Sequence, residues 1–182
     1  FAVALVVPWM AGIPAIRMFR SRFPDRRGVT LPDFYAIVRR SLGQGWAILL
    51  VPLAVATLNL FFVRNCSYGE GLLFFLLLPG VTVFWSVGLA LFCALMFRRA
   101  FFLYSILIAT CLLYPLYIGY YSPQIYSYDF VYGFFPGFSY DEVLTITPGL
   151  LLFRFVTVLS GLLLFMIPEF LLENGVVSGK PM

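Results

Sequence analysis

The chain has 182 residues, 62% hydrophobic by type and only 11% charged, with a formal net charge of +4 and a mean hydropathy of +0.98. A soluble domain carries roughly 25% charged and 45–50% apolar residues, so too few polar groups remain to coat a water-facing globule, and hydrocarbon must solvate much of the surface. The sequence holds no histidine, which removes the commonest general base and the usual zinc and haem ligand.

Residues 1–16 form an apolar run broken by Pro8, Gly12 and Pro14. As helix this run rises about 24 Å, short of the roughly 30 Å hydrocarbon core, so it reads as the end of a first transmembrane helix in a longer polypeptide. A signal peptide would carry its basic residues before the run, whereas here Arg17, Arg20, Arg22, Arg26 and Arg27 follow it. Thr30 and Pro32 then mark a helix start. Leu31, Phe34, Tyr35, Val38 and Leu42 fall on one stripe, with Asp33, Arg39 and Arg40 off it. That pattern predicts an amphipathic helix in the membrane interface, feeding the next span.

Further spans are expected at about 42–63, 71–97, 100–121 and 149–167, with a kink at Pro79-Gly80. The whole is an all-α polytopic transmembrane bundle of about five spans, 1–182 forming a single transmembrane domain. Counting residues 17–40, Arg98, Arg99 and Lys180 on one side gathers ten basic residues there, against Arg64 and Arg154 on the other. The positive-inside rule then places the N-terminus outside and the C-terminus in the cytoplasm. The clustering of basic residues at the ends of apolar runs reads as topology and gives no nucleic-acid face.

The connection 122–148 is long, aromatic-rich and extracytoplasmic in this topology. It carries Asp129, Asp141 and Glu142 and no basic residue. Too apolar for a solvated loop and too broken by Pro123, Gly133, Pro136 and Gly137 for a span, it is expected to lie at the interface or dip into the protein, its carboxylates in water. Asp129, Asp141 and Glu142 are the candidates for acid–base catalysis, or for a hard cation such as calcium. The plain alternative is solvated loop charges, or counter-ions to Arg154. Arg154 lies inside the last apolar run, where an ionisable side chain is a functional candidate by default. Its expected partners are Asp141 and Glu142, or it snorkels to the interface.

Other motifs carry less. Cys66, Cys93 and Cys111 show no metal spacing, and Cys93 and Cys111 read as small core residues. Asn65-Cys66-Ser67 matches a glycosylation tripeptide in a loop too short to be a good acceptor, and no phosphate-binding loop is present. Gly80, Ser86, Gly88 and Ala90 suit close helix packing. The basic loop of Arg17, Arg20, Arg22, Arg26, Arg27, Arg39 and Arg40 sets topology, with anionic lipid head groups or an acidic partner domain as an alternative reading.

Two stretches carry a resemblance. Asn65-Cys66 followed by Glu70-Gly71-Leu72-Leu73-Phe74-Phe75-Leu76-Leu77-Leu78-Pro79 is one, and Gly133-Phe134-Phe135-Pro136-Gly137-Phe138-Ser139-Tyr140-Asp141-Glu142 is the other. Both resemble patterns in uncharacterised bacterial polytopic membrane regions, some of them joined to extracytoplasmic peptidase-like or repeat domains. The resemblance covers about residues 59–155. It implies a bacterial inner-membrane protein and part of a larger one, and it transfers no catalytic residue.

The sequence therefore predicts a non-enzymatic membrane subunit or anchor module with no cofactor, in contact with lipid and with other membrane subunits. Two rivals stand beside it. One is a membrane-surface enzyme using the carboxylates of 122–148. The other is a transporter permease component, for which Pro52, Pro79 and Pro115 supply helix breaks but the spans offer few coordinating groups.

Overall fold

The computed structural model describes residues 2–24, 28–59, 61–62, 68–121, 127–131, 133–135 and 146–173. These form α1 (Ala2–Arg22), α2 (Leu31–Asn59), α3 (Tyr68–Met96), α4 (Ala100–Tyr121), a hairpin of β1 (Ser127–Asp129) and β2 (Gly133–Phe135), and α5 (Pro148–Glu173). The class is all-α apart from the hairpin. Helices α2 to α5 are each long and apolar enough to cross a membrane, consistent with an integral membrane protein, and α1 is a 21-residue helix outside that group.

Two expectations about element boundaries change. The interfacial helix and the span predicted from residue 42 are one continuous helix, α2, capped by Thr30, whose Oγ1 accepts from the Asp33 amide and donates to the Asp33 carboxylate. No residue between 38 and 45 breaks it, because Gly43 and Gly45 weaken a helix without ending one. The kink expected at Pro79-Gly80 takes the form of a π-helical turn over Leu76–Gly80, which absorbs the amide that Pro79 lacks.

Helix α3 is central, packing against each of the other four helices. Its Val81–Met96 stretch is apolar on all sides and mostly buried, as a helix surrounded by helices must be. Small residues allow the close approaches. A Cβ on Gly88 would lie 3.3 Å from the Gly161 carbonyl oxygen of α5, and one on Gly161 would lie 2.8 Å from the Phe84 ring. At Gly12 of α1 the Tyr104 ring comes close enough for its hydroxyl to donate to the Pro8 carbonyl at 2.6 Å. Cys93 and Cys111 are free thiols, Cys93 buried within the core, as expected.

Side-chain contacts fix which helix ends lie together. Arg20 donates to the carbonyls of Phe97 and Arg98 at 2.9 and 2.6 Å, tying the end of α1 to the α3–α4 turn. Arg22 pairs with Asp33 at 2.9 Å, and Tyr35 donates to the Glu169 carboxylate near the end of α5. At the opposite end Thr57 and Tyr68 share a 2.8 Å hydrogen bond between α2 and α3. The helices thus alternate in direction, with the described arginines other than Arg154 collected towards one end and the hairpin at the other.

A candidate functional site around Arg154

Helix α5 starts with Thr147 as cap, its Oγ1 accepting from the Leu150 amide at 3.2 Å, and Pro148 in the first turn. Arg154 lies six residues beyond Pro148, about 9 Å along the axis, and points into the bundle. It is 1% exposed and is the largest fully buried side chain among the described residues. The guanidinium does not reach the protein surface, because the hairpin supplies backbone acceptors to it.

The hairpin is antiparallel, with Ser127 opposite Phe135, Tyr128 opposite Phe134 and Asp129 opposite Gly133. Its turn presents carbonyls to Arg154, which donates through Nη1 to Phe130 O at 3.1 Å and through Nη2 to Val131 O at 3.4 Å. The Val131 oxygen also lies 2.7 Å from Thr82 Oγ1 of α3, which stands 2.8 Å from Leu78 O in the π-helical turn. One hydroxyl hydrogen serves one of these acceptors at a time, so Thr82 links the irregular turn of α3 to the hairpin. The Asp129 carboxylate accepts from the Val131 amide at 2.7 Å, closing the turn in the manner of an Asx-turn. Asp129 is 4% exposed, and its charge acts favourably on Arg154.

Aromatic rings complete the seat. Phe130 stacks on Trp85 of α3 at 5.4 Å and leans on Phe153 of α5 at 5.3 Å, while Tyr128 stacks on Phe153 at 5.5 Å. Gly133, at φ +84°, brings its backbone against the guanidinium: a Cβ there would lie 2.3 Å from Arg154 Nη2 and 2.7 Å from Nε. That contact covers Nε, which has no hydrogen-bond partner among the described residues.

The site-residue expectations divide accordingly. Of segment 122–148, residues 127–131 and 133–135 form a hairpin against the bundle, but Asp129 is not the water-facing carboxylate expected of it. It is buried because its oxygen is needed by the turn it closes. Asp141 and Glu142, expected to partner Arg154, lie outside the described residues, as do Arg26, Arg27, Arg64, Asn65, Cys66, Ser67 and Lys180. Among the described residues no group of three or more His, Cys, Asp or Glu side chains is placed to hold a metal ion. Arg17, Arg20, Arg22, Arg39 and Arg40 lie on α1 and the first part of α2, and Arg20 and Arg22 hold helix ends together.

Sequence reasoning missed the hairpin, Thr82 and Asp129 as the acid near Arg154. The stretch Tyr126-Ser-Tyr-Asp-Phe-Val-Tyr-Gly-Phe-Phe135 carried a signal, aromatic-rich arms around an Asp-to-Gly turn. Thr82→Val keeps the shape and removes the hydroxyl, leaving Val131 O to Arg154 alone. It is expected to destabilise the purified protein by about 1 kcal/mol, readable as a lowered thermal midpoint.

No protein-family model matches the chain, no curated protein matches its sequence, and no solved structure matches its fold.

Proposed function

We propose that this chain is a non-catalytic integral membrane module, a subunit or anchor that packs against other membrane proteins in a bacterial inner membrane. The arginine-bearing end faces the cytoplasm and the hairpin end faces outwards, with α1 as a fifth crossing. The observation that carries this reading is the engagement of Arg154 and Asp129. They are the buried charged side chains of the described bundle, and both hold the hairpin in place instead of lining open space. Catalysis by the carboxylates of 122–148 is correspondingly weakened, since Asp129 already serves the turn.

Exposed rings fit the same reading. Tyr114, Tyr117, Tyr120 and Tyr121 project from the last two turns of α4, at the hairpin end, where amphipathic rings suit a bilayer border or a partner's flank. The sorting of arginines to the opposite end supports the orientation.

Gentle detergent extraction followed by mass spectrometry of what co-elutes tests the function. Stoichiometric membrane partners are the expected result, and a monodisperse lone protein with turnover dependent on Asp141 or Glu142 would overturn it. Orientation is read by a membrane-impermeant maleimide on single-cysteine variants lacking Cys66, Cys93 and Cys111. Glu70→Cys is expected to label in intact cells and Ser21→Cys only after permeabilisation; the reverse pattern inverts the topology.

A further inference from the structure

The arginines at the basic end do not act alike. Arg20 and Arg22 are committed to protein contacts. Arg39 and Arg40 are exposed and have no ion pair among the described residues. They flank a depression of about 610 Å³ on α2, lined by Ala36, Arg39, Arg40, Gly43, Gln44 and Ala47. A neighbouring depression shares Ala36 and Arg39, but it is bordered by Tyr35, which holds the Glu169 carboxylate, so the first is the one whose field favours an anion.

Height along the helix points the same way. Arg39 and Arg40 lie about 30 Å from Asn59 at the far end of α2, which matches the thickness of the hydrocarbon core. With Asn59 at one border, both guanidinium groups stand at the phosphate level of the other, and Gly43 and Ala47 stand one and two turns into the acyl region. Gly43 also has no packing role among the described residues. A Cβ there would meet nothing within 4 Å, whereas one on Gly45, two residues on, would lie 2.5 Å from Val83. A mid-helix glycine costs roughly 1 kcal/mol relative to alanine, so its open face calls for something that lies against it from outside.

We propose that this face of α2 binds an anionic phospholipid, its phosphate between Arg39 and Arg40 with Gln44 beside it, and an acyl chain lying along Gly43 and Ala47. The opposite charge at headgroup height selects a lipid over a second apolar helix, which would leave both guanidinium groups without a counter-charge. The inference does not depend on the chain being a subunit, and it holds for either orientation.

Native mass spectrometry of the full chain, with phosphatidylglycerol and phosphatidylcholine supplied in equal amount, tests it. The wild type is expected to retain phosphatidylglycerol with a preference of about 30-fold, the combined effect of two arginines. Arg39→Gln/Arg40→Gln should reduce this to within about twofold, while Arg98→Gln/Arg99→Gln, of equal charge change, keeps it. Gly43→Leu, which puts a branched side chain in the path of the acyl chain and leaves the charges alone, should lower retention of both lipids. Thermal midpoints of all variants are measured alongside, to confirm that they fold. The proposal is overturned if the Arg39/Arg40 variant keeps the preference, if the Arg98/Arg99 variant loses it equally, or if Gly43→Leu retains lipid as the wild type does. It is also overturned if millimolar inorganic phosphate displaces the lipid, which would mark a simple anion site. Zero-length cross-linking of Gly43→Cys to a co-purified protein would likewise replace the lipid with a partner helix.

Discussion

Arg154→Ala is expected to lower the thermal midpoint of the purified protein by on the order of 10 °C and to free the hairpin from its seat. The wild-type side chain donates to Phe130 O and Val131 O, and a planar fork reaches two carbonyls as a single amine does not. Removing it leaves the Phe130 oxygen without its donor, a cavity where the largest fully buried side chain stood, and the 4% exposed Asp129 carboxylate without its nearby cation. Breaking a buried charge arrangement by taking away one member costs about 3–5 kcal/mol.

The readout that separates an unseated hairpin from general loosening is Trp85, which stacks on Phe130. In a background with Trp9 and Trp46 replaced by phenylalanine, Trp85 emission should shift to the red in Arg154→Ala well below the unfolding temperature. Arg154→Lys should recover only part of the stability, because a single ammonium nitrogen on a shorter stem does not reproduce the two-nitrogen fork that meets the two carbonyls. Pairing Arg154→Met with Asp129→Asn should be less harmful than the sum of the two single changes, since no buried charge is then left alone. An Arg154→Ala protein with wild-type midpoint and unmoved Trp85 emission would remove Arg154 from the role of holding the hairpin.

Much of this architecture was legible because the bilayer restricts what a chain can do. With no water at depth, long apolar runs must be helices, so the runs over 71–97 and 100–121 mapped almost directly onto α3 and α4. The interface between 31 and 42 was harder. An amphipathic stripe followed by an apolar run reads as two elements, but a helix that crosses from interface to core changes its exposed face without changing its backbone. The site was less legible still. Arg154 stood out on hydropathy alone, yet its acceptors are backbone carbonyls of Phe130 and Val131, and carbonyls carry no sequence signature. Asp141 and Glu142, expected as partners because they are close in sequence, lie outside the described residues, and the turn that brings Asp129 inward depends on Gly133 taking a positive φ.

That dependence gives the other large effect. Gly133→Ala is expected to destabilise the protein by about 3 kcal/mol or more, through two contributions that a control can separate. The first is backbone strain: at φ +84° an L-side chain costs about 1–2 kcal/mol. The second is steric. The new Cβ would lie 2.3 Å from both Arg154 Nη2 and Leu78 Cδ2, so the guanidinium must retreat from the carbonyls it serves. Gly28 isolates the first contribution, with φ +70° and nothing among the described residues within 4 Å of its Cβ position. Gly28→Ala should therefore cost only about 1–2 kcal/mol. Combining Gly133→Ala with Arg154→Ala should cost less than the sum of the two single changes, because only backbone strain and the contact with Leu78 then remain. Equal losses for Gly28→Ala and Gly133→Ala, measured by unfolding in the same detergent, would mean that the hairpin does not bear on Arg154. A larger loss at Gly133 that shrinks in the Arg154→Ala background would tie glycine, arginine and hairpin into one unit.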